Sequence, residues 1–198
     1  MKKTILLLLL SLFATFIQVD AQELVSADQF NKLISYLEKE DWTEAAKLSE
    51  SCLKQIPADK IDDDAPAIIR YMFLTSEAGL MNEGKLSQQQ ALKNVKDFEG
   101  HTLTLPSLYI STKSGFNYLQ PSENKTDTLH ITYTNRKATD IFAFESLVPL
   151  KPISMEEFSS QNGKLCTVSG WLKKISVEGN ILPRYRILIE KTVIGLKD

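Results

Sequence analysis

His101 and His130 are the only imidazoles, and Cys52 and Cys166 the only thiols, in a chain of 198 residues. A zinc-type centre needs three or four soft ligands at short spacing, and neither histidine has a Cys or His partner so placed. His130 alternates with Leu129 and Ile131, which puts it on the water-facing side of a strand. Asp62-Asp63-Asp64 lacks the further oxygen ligands and the glycine of a calcium loop, and reads as a solvated helix start. No Gly-x-Ser-x-Gly, phosphate-cradling loop or Cys-x-x-Cys occurs, so the expectation is no catalytic residue, no metal and no cofactor. What remains is binding chemistry. Phe116 and Tyr118, with Trp171 and Tyr185, could stack against sugars or bases, and Lys173, Lys174, Arg184 and Arg186 could form a basic stripe. The plainer alternatives are that Phe116 and Tyr118, two apart on one strand face, pack inward, and that the charges guard a strand edge.

Compartment and charge narrow the partners. Lys2 and Lys3, the apolar run Thr4 to Ile17 and the small-residue pattern Val19-Asp20-Ala21 read as a secretory signal peptide over 1–21, cleaved before Gln22. The run is too short to span a bilayer, which takes about 20 apolar residues. The mature chain is expected to be exported, in the periplasm or secreted, with no membrane span. From Gln22 to Phe98 there are 9 Lys+Arg against 14 Asp+Glu, and from Glu99 to Asp198 12 against 10. Neither half carries the clustered cations that nucleic acid demands. Cys52 and Cys166 could pair in an oxidising compartment, but they would then staple the two halves together; buried free thiols are the expectation.

The elements that must position these groups come in two kinds. Phe30, Leu33, Ile34 and Leu37 draw one apolar stripe over about 27–39, behind Ser26 or Asp28 as cap. Asp41 caps a second helix with Ala45, Leu48, Cys52, Leu53 and Ile56, ended by Pro57. A third begins near Ala65-Pro66 and carries Ile68, Ile69, Met72, Phe73 and Leu80, and Asn82-Glu83-Gly84 breaks it. Ser87 and Gln90 box the start of a fourth, bearing Ala91, Leu92, Val95 and Phe98. Near Glu99-Gly100 the period changes from 3.6 to 2, which separates a helical unit over 22–98 from a β unit over 99–198. Strands are expected from Leu103 to Ser111, Phe116 to Leu119, Leu129 to Tyr133 and Ile141 to Phe144. A short helix follows Ser154, and Lys164–Leu172 and Arg184–Ile189 close the chain. Gly170 marks a bulge, after which Trp171, Ile175 and Val177 are expected to face inward.

Ala45, Ser49, Cys52 and Pro57, with the turn Glu83-Gly84-Lys85-Leu86, resemble tetratricopeptide-type repeats, a resemblance that covers about 27–98. The strand order with one short helix before the last two strands resembles an OB-fold over 100–194. Together they imply an α+β chain: N-terminal helical hairpins in two antiparallel pairs, then a small antiparallel β-barrel. The Lys-Lys start, poly-Leu core and Ala-Gln junction resemble signal peptides of Bacteroidetes. The first resemblance implies a non-catalytic adaptor that binds a protein or peptide. The second implies an oligosaccharide-binding module, with Phe116, Tyr118, Lys173, Arg184 and Arg186 as its ligand-binding residues; nucleic acid is not expected outside the cytoplasm.

Overall fold

The computed structural model describes residues 25–123 and 125–197, so the signal-peptide expectation for Met1–Ala21 lies outside the described residues. Four helices come first: α1 Ala27–Glu38, α2 Trp42–Leu53, α3 Asp64–Asn82 and α4 Gln88–Val95. Ser26, not Asp28, caps α1, in a reciprocal box with Gln29. Asp41 accepts from the Glu44 N–H to cap α2, and Ser87 accepts from the Gln90 N–H to cap α4.

The third helix decides the architecture. It is buried nearly all round, from Ala65 to Gly79 without a break, as expected of a helix with neighbours on every side. Ile68, Ile69 and Met72 pack with Phe30, Leu33, Ile34, Ala45 and Cys52 of α1 and α2 in a smaller core. Tyr71, Phe73, Leu74, Ala78 and Met81 belong instead to the larger core, which continues into the β half.

Six strands follow: β1 Thr102–Ile110, β2 Tyr118–Ser122, β3 Lys125–Thr134, β4 Ile141–Pro149, β5 Leu165–Glu178 and β6 Arg184–Leu196. Helix α5, Met155–Ser160, lies between β4 and β5 and buries Phe158. The strands close a barrel in the order β1-β2-β3-β4-β6-β5, with Leu105, Leu119, Leu129, Ile131, Leu147, Val168, Leu172 and Ile189 inside. The α+β arrangement is as the change of period implies. The barrel itself is mixed: β1 runs parallel to β2 and β4 parallel to β6, so it is not the wholly antiparallel barrel expected. The short β2 is wedged between β1 and β3, and begins two residues later than the strand expected at Phe116.

Strand irregularities shape the wall. Opposite Gly170 the additional residue lies on β6, where Ser169 pairs with Val193 but Trp171 with Glu190, and Lys191 takes a φ of 52°. A second, on β5 at Lys173, restores the register. Cys166, Val168, Gly170 and Leu172 therefore all point inward, and the change of phase comes at Lys173. Trp171, expected inside, is 39% exposed. Gly170 is required for another reason: a Cβ there would stand 2.7 Å from Ile189 Cγ2 and 2.9 Å from the Glu190 carbonyl.

Candidate functional site

Where the end of α1 meets the barrel, the chain leaves a cleft of about 150 Å³. Leu37, Glu38, Glu40 and Trp42 form its helical side, Pro106 to Leu108 and Asn117 one strand side, and Tyr133 to Arg136, Ala138 and Phe142 the other. Two bulges build it. Between Leu105 and Leu108 the ladder to β5 slips by one residue, where Pro106 has no N–H to donate. Between Tyr133 and Thr134 the ladder to β4 skips Phe142, so Phe142 and Ala143 are buried in succession and Phe142 turns into the cleft. There its ring meets Trp42 edge-on at 5.2 Å between centroids, and Tyr133 lies 6.1 Å from it. Such pairs contribute about 0.5–1.5 kcal/mol beyond area burial and fix the ring positions.

Polar groups hold the rim. The Arg136 N–H donates to Glu40 Oε1 at 3.0 Å, and the Arg136 guanidinium reaches the Glu38 carbonyl, which straps the β3–β4 turn to the end of α1. Asn135 Oδ1 accepts from the Thr139 N–H while its Nδ2 donates to Asp140. Asn117, at a φ of 59°, donates to and accepts from Thr134. The cleft is thus an aromatic floor under an ordered polar rim.

Behind the floor sits a buried carboxyl. Glu145, 1% exposed, points from β4 into the seam between the barrel and α3, where the Tyr71 hydroxyl donates to Oε1 at 2.7 Å. Oε2 is buried and has no hydrogen-bond partner among the described residues. Burial lifts the Glu145 carboxyl to about 7, although the Tyr71 bond works the other way. Burial likewise lifts the Tyr133 phenol to about 12. Further along α3, Glu77 is pushed to about 6 by burial while accepting from Asn94 Nδ2 at 2.8 Å.

Asp62 and His101, 39 residues apart, meet at 3.1 Å. Asp62 is no plain solvated helix start: Oδ1 also accepts from the Thr102 N–H at 2.9 Å and from Arg70 at 3.3 Å. Arg70, 1% exposed, gives its remaining donors to the Ile61 and Thr102 carbonyls and to Thr102 Oγ1. Burial would raise the Asp62 carboxyl, but the Thr102 N–H, His101 and Arg70 together hold it below its ordinary value. The cluster ties α3 to the start of β1, and neither Asp62 nor His101 lines the cleft.

The other sequence candidates are dispersed. Phe116 and Tyr118 do not pack inward; they are 47% and 40% exposed. Tyr118 lies on β2, whereas Lys173, Arg184 and Arg186 lie on β5 and β6, across the barrel. Arg184 and Arg186 both reach Glu178 and lie over the Phe144 ring, and Lys173 pairs with Glu190. Lys173, Arg184 and Arg186 of the basic stripe are therefore partnered. Tyr185 is buried, and its hydroxyl donates to the Ala91 carbonyl. His130 is not simply solvated: Nδ1 is buried without a partner among the described residues, and burial lowers its pKa. Cys52 and Cys166 are free and buried in separate cores. Among the described residues no cluster of His, Cys, Asp or Glu could hold a metal ion, and no helix is long and apolar enough to cross a membrane.

No protein-family model, no curated protein and no solved structure matches the chain.

Proposed function

We propose that the protein is an exported, non-catalytic binding protein whose cleft between helices and barrel receives one apolar side chain of a peptide or protein partner. The observation that carries this reading is the cleft itself. Its volume of about 150 Å³ suits one side chain, since a dry apolar cavity of about that size accommodates a benzene ring, whereas a drug-sized ligand takes about 300 Å³ or more. An aromatic floor with a polar rim is the make-up of an anchoring pocket in a protein interface. Partner binding along the helical hairpins alone is less favoured, because the barrel covers the face of α3 that a groove would need. The polar atoms of the rim are engaged in holding the wall, which suits recognition better than bond-making. Export rests on the pattern of Met1 to Ala21.

Selection of random peptides on the chain, followed by titration against Ala138→Trp, tests the reading. Ala138 is exposed and lines the cleft, so the indole would fill it. Selected peptides should share one aromatic or aliphatic residue and lose at least about tenfold in affinity, or about 1.4 kcal/mol. Equal binding to both proteins, with unchanged circular dichroism, would reject the cleft as the site.

The exposure of Phe116 and Tyr118 favours a second reading, in which this edge of the barrel stacks against an oligosaccharide. Glycan-array binding lost in Phe116→Ala and Tyr118→Ala but kept in Ala138→Trp would select it over the first.

A further inference from the structure

Beneath the cleft floor lies a second cavity of about 10 Å³, close to the space one water occupies. Glu145 lines it, and the titratable groups that face it are three phenols: Tyr71 from α3, Tyr133 from β3 and Tyr185 from β6. No Lys, Arg or His is among the lining residues. Of the nearby carboxylates, Glu77 is turned to Asn94 of α4, and Glu40 stands beyond Tyr133 on the cleft side. Thr75, Tyr133 and Phe142 line both cavities, so the floor of one is the roof of the other.

An ionised Oε2 with no donor among the lining side chains is strongly disfavoured, whereas the neutral acid keeps the Tyr71 bond and buries no charge, leaving one O–H to be satisfied. Ionisation calls for a donor beyond these side chains, and the polar residues that the cavity shares with the cleft are Thr75 and Tyr133. We propose that the protonation of Glu145 controls the cleft: the neutral acid keeps the floor closed, and the carboxylate draws water in past Thr75 and Tyr133, loosening Phe142 and the Trp42 ring against it. The inference rests on the cleft as the binding site and concerns its regulation. Burial places the change close to neutral pH, within reach of ordinary variation outside the cytoplasm.

Trp42 reports on the floor directly. In the full chain carrying Trp171→Phe, Trp42 is the one remaining tryptophan. Its emission should follow a single titration centred near pH 7, vanish in Glu145→Gln and persist in Glu77→Gln. An unresponsive Trp42, or the same titration in Glu145→Gln, would overturn the proposal. Should Glu145→Gln fail to fold, carbon-13 labelling of the glutamate carboxyls in the Trp171→Phe chain decides. A resonance that titrates together with Trp42 near pH 7 supports the switch, and ordinary titration of every glutamate rules it out. No ligand is added, so the switch can fail while selected peptides still bind, and the cleft can fail as a peptide site while the switch holds.

Discussion

At the scale of single residues, side chains chosen by type divide into those that water reaches and those that the fold has taken for itself. Phe116 and Tyr118 are half exposed, so replacing both by alanine removes little packing. Each change should alter stability by no more than about 0.5 kcal/mol. A urea midpoint measures this; a loss of about 3 kcal/mol or more, the cost of truncating a buried phenylalanine, would return them to the core. Arg70 is the opposite case. Its guanidinium supplies four hydrogen bonds to two carbonyls, Thr102 Oγ1 and Asp62, and no water can replace it at 1% exposure. Arg70→Met should cost about 1–3 kcal/mol, because part-buried acceptors lose their donor. A loss below about 1 kcal/mol in chemical denaturation would show that the junction does not depend on it.

At the scale of elements, the helices were legible because local signals suffice for them: Ser26, Asp41 and Ser87 sit at the caps their types imply, and Pro57 follows the helix it ends. The strands were legible where alternation is regular, as in Tyr185, Ile187 and Ile189. Misreadings cluster at bulges, since a register slip is a property of two strands and no single segment encodes it. Trp171 faces out because the extra residues are Lys191 and Lys173, and Phe142 enters the cleft because β3 skips it. The cleft was illegible for the same reason: its floor joins Trp42, Tyr133 and Phe142 from three elements, and Asp62 meets His101 only after folding. One close approach between helices can be tested. A Cβ at Gly79 of α3 would overlap the Trp42 ring, which Phe142 hems in from the barrel side. Alanine gains about 1 kcal/mol in helix propensity over glycine, yet overpacking costs about 1–3 kcal/mol, and here three ring atoms lie in the way. Gly79→Ala should therefore lower the melting temperature and shift Trp42 emission; a stabilised protein with unchanged emission would mean that the ring has room to retreat.

For the molecule as a whole, the seams along α3 set how stability varies with pH. Glu145 rises from an ordinary 4.5 to about 7, and Glu77 from 4.5 to about 6, both driven by burial. A carboxyl whose pKa is higher in the folded state holds its proton there after the unfolded chain has released it. Its contribution is complete below pH 4.5 and is lost as pH rises, by pH 6 for Glu77 and by pH 7 for Glu145. At 1.36 kcal/mol per pKa unit the losses are about 2 and about 3 kcal/mol. Asp62 acts in the other sense: its lowered pKa gives stability above its unfolded value of 3.8 that fades as pH falls through the folded one. Opposed slopes, with His130 also losing stability towards acid because burial lowers its pKa, put the maximum on the acid side of neutrality. Urea unfolding at pH 5 and pH 8 should show a drop of several kcal/mol, and Glu145→Gln with Glu77→Gln should flatten most of it, because the amides cannot ionise. Stability equal at the two pH values, or a slope unchanged in the double variant, would mean that water already reaches these carboxyls in the folded protein.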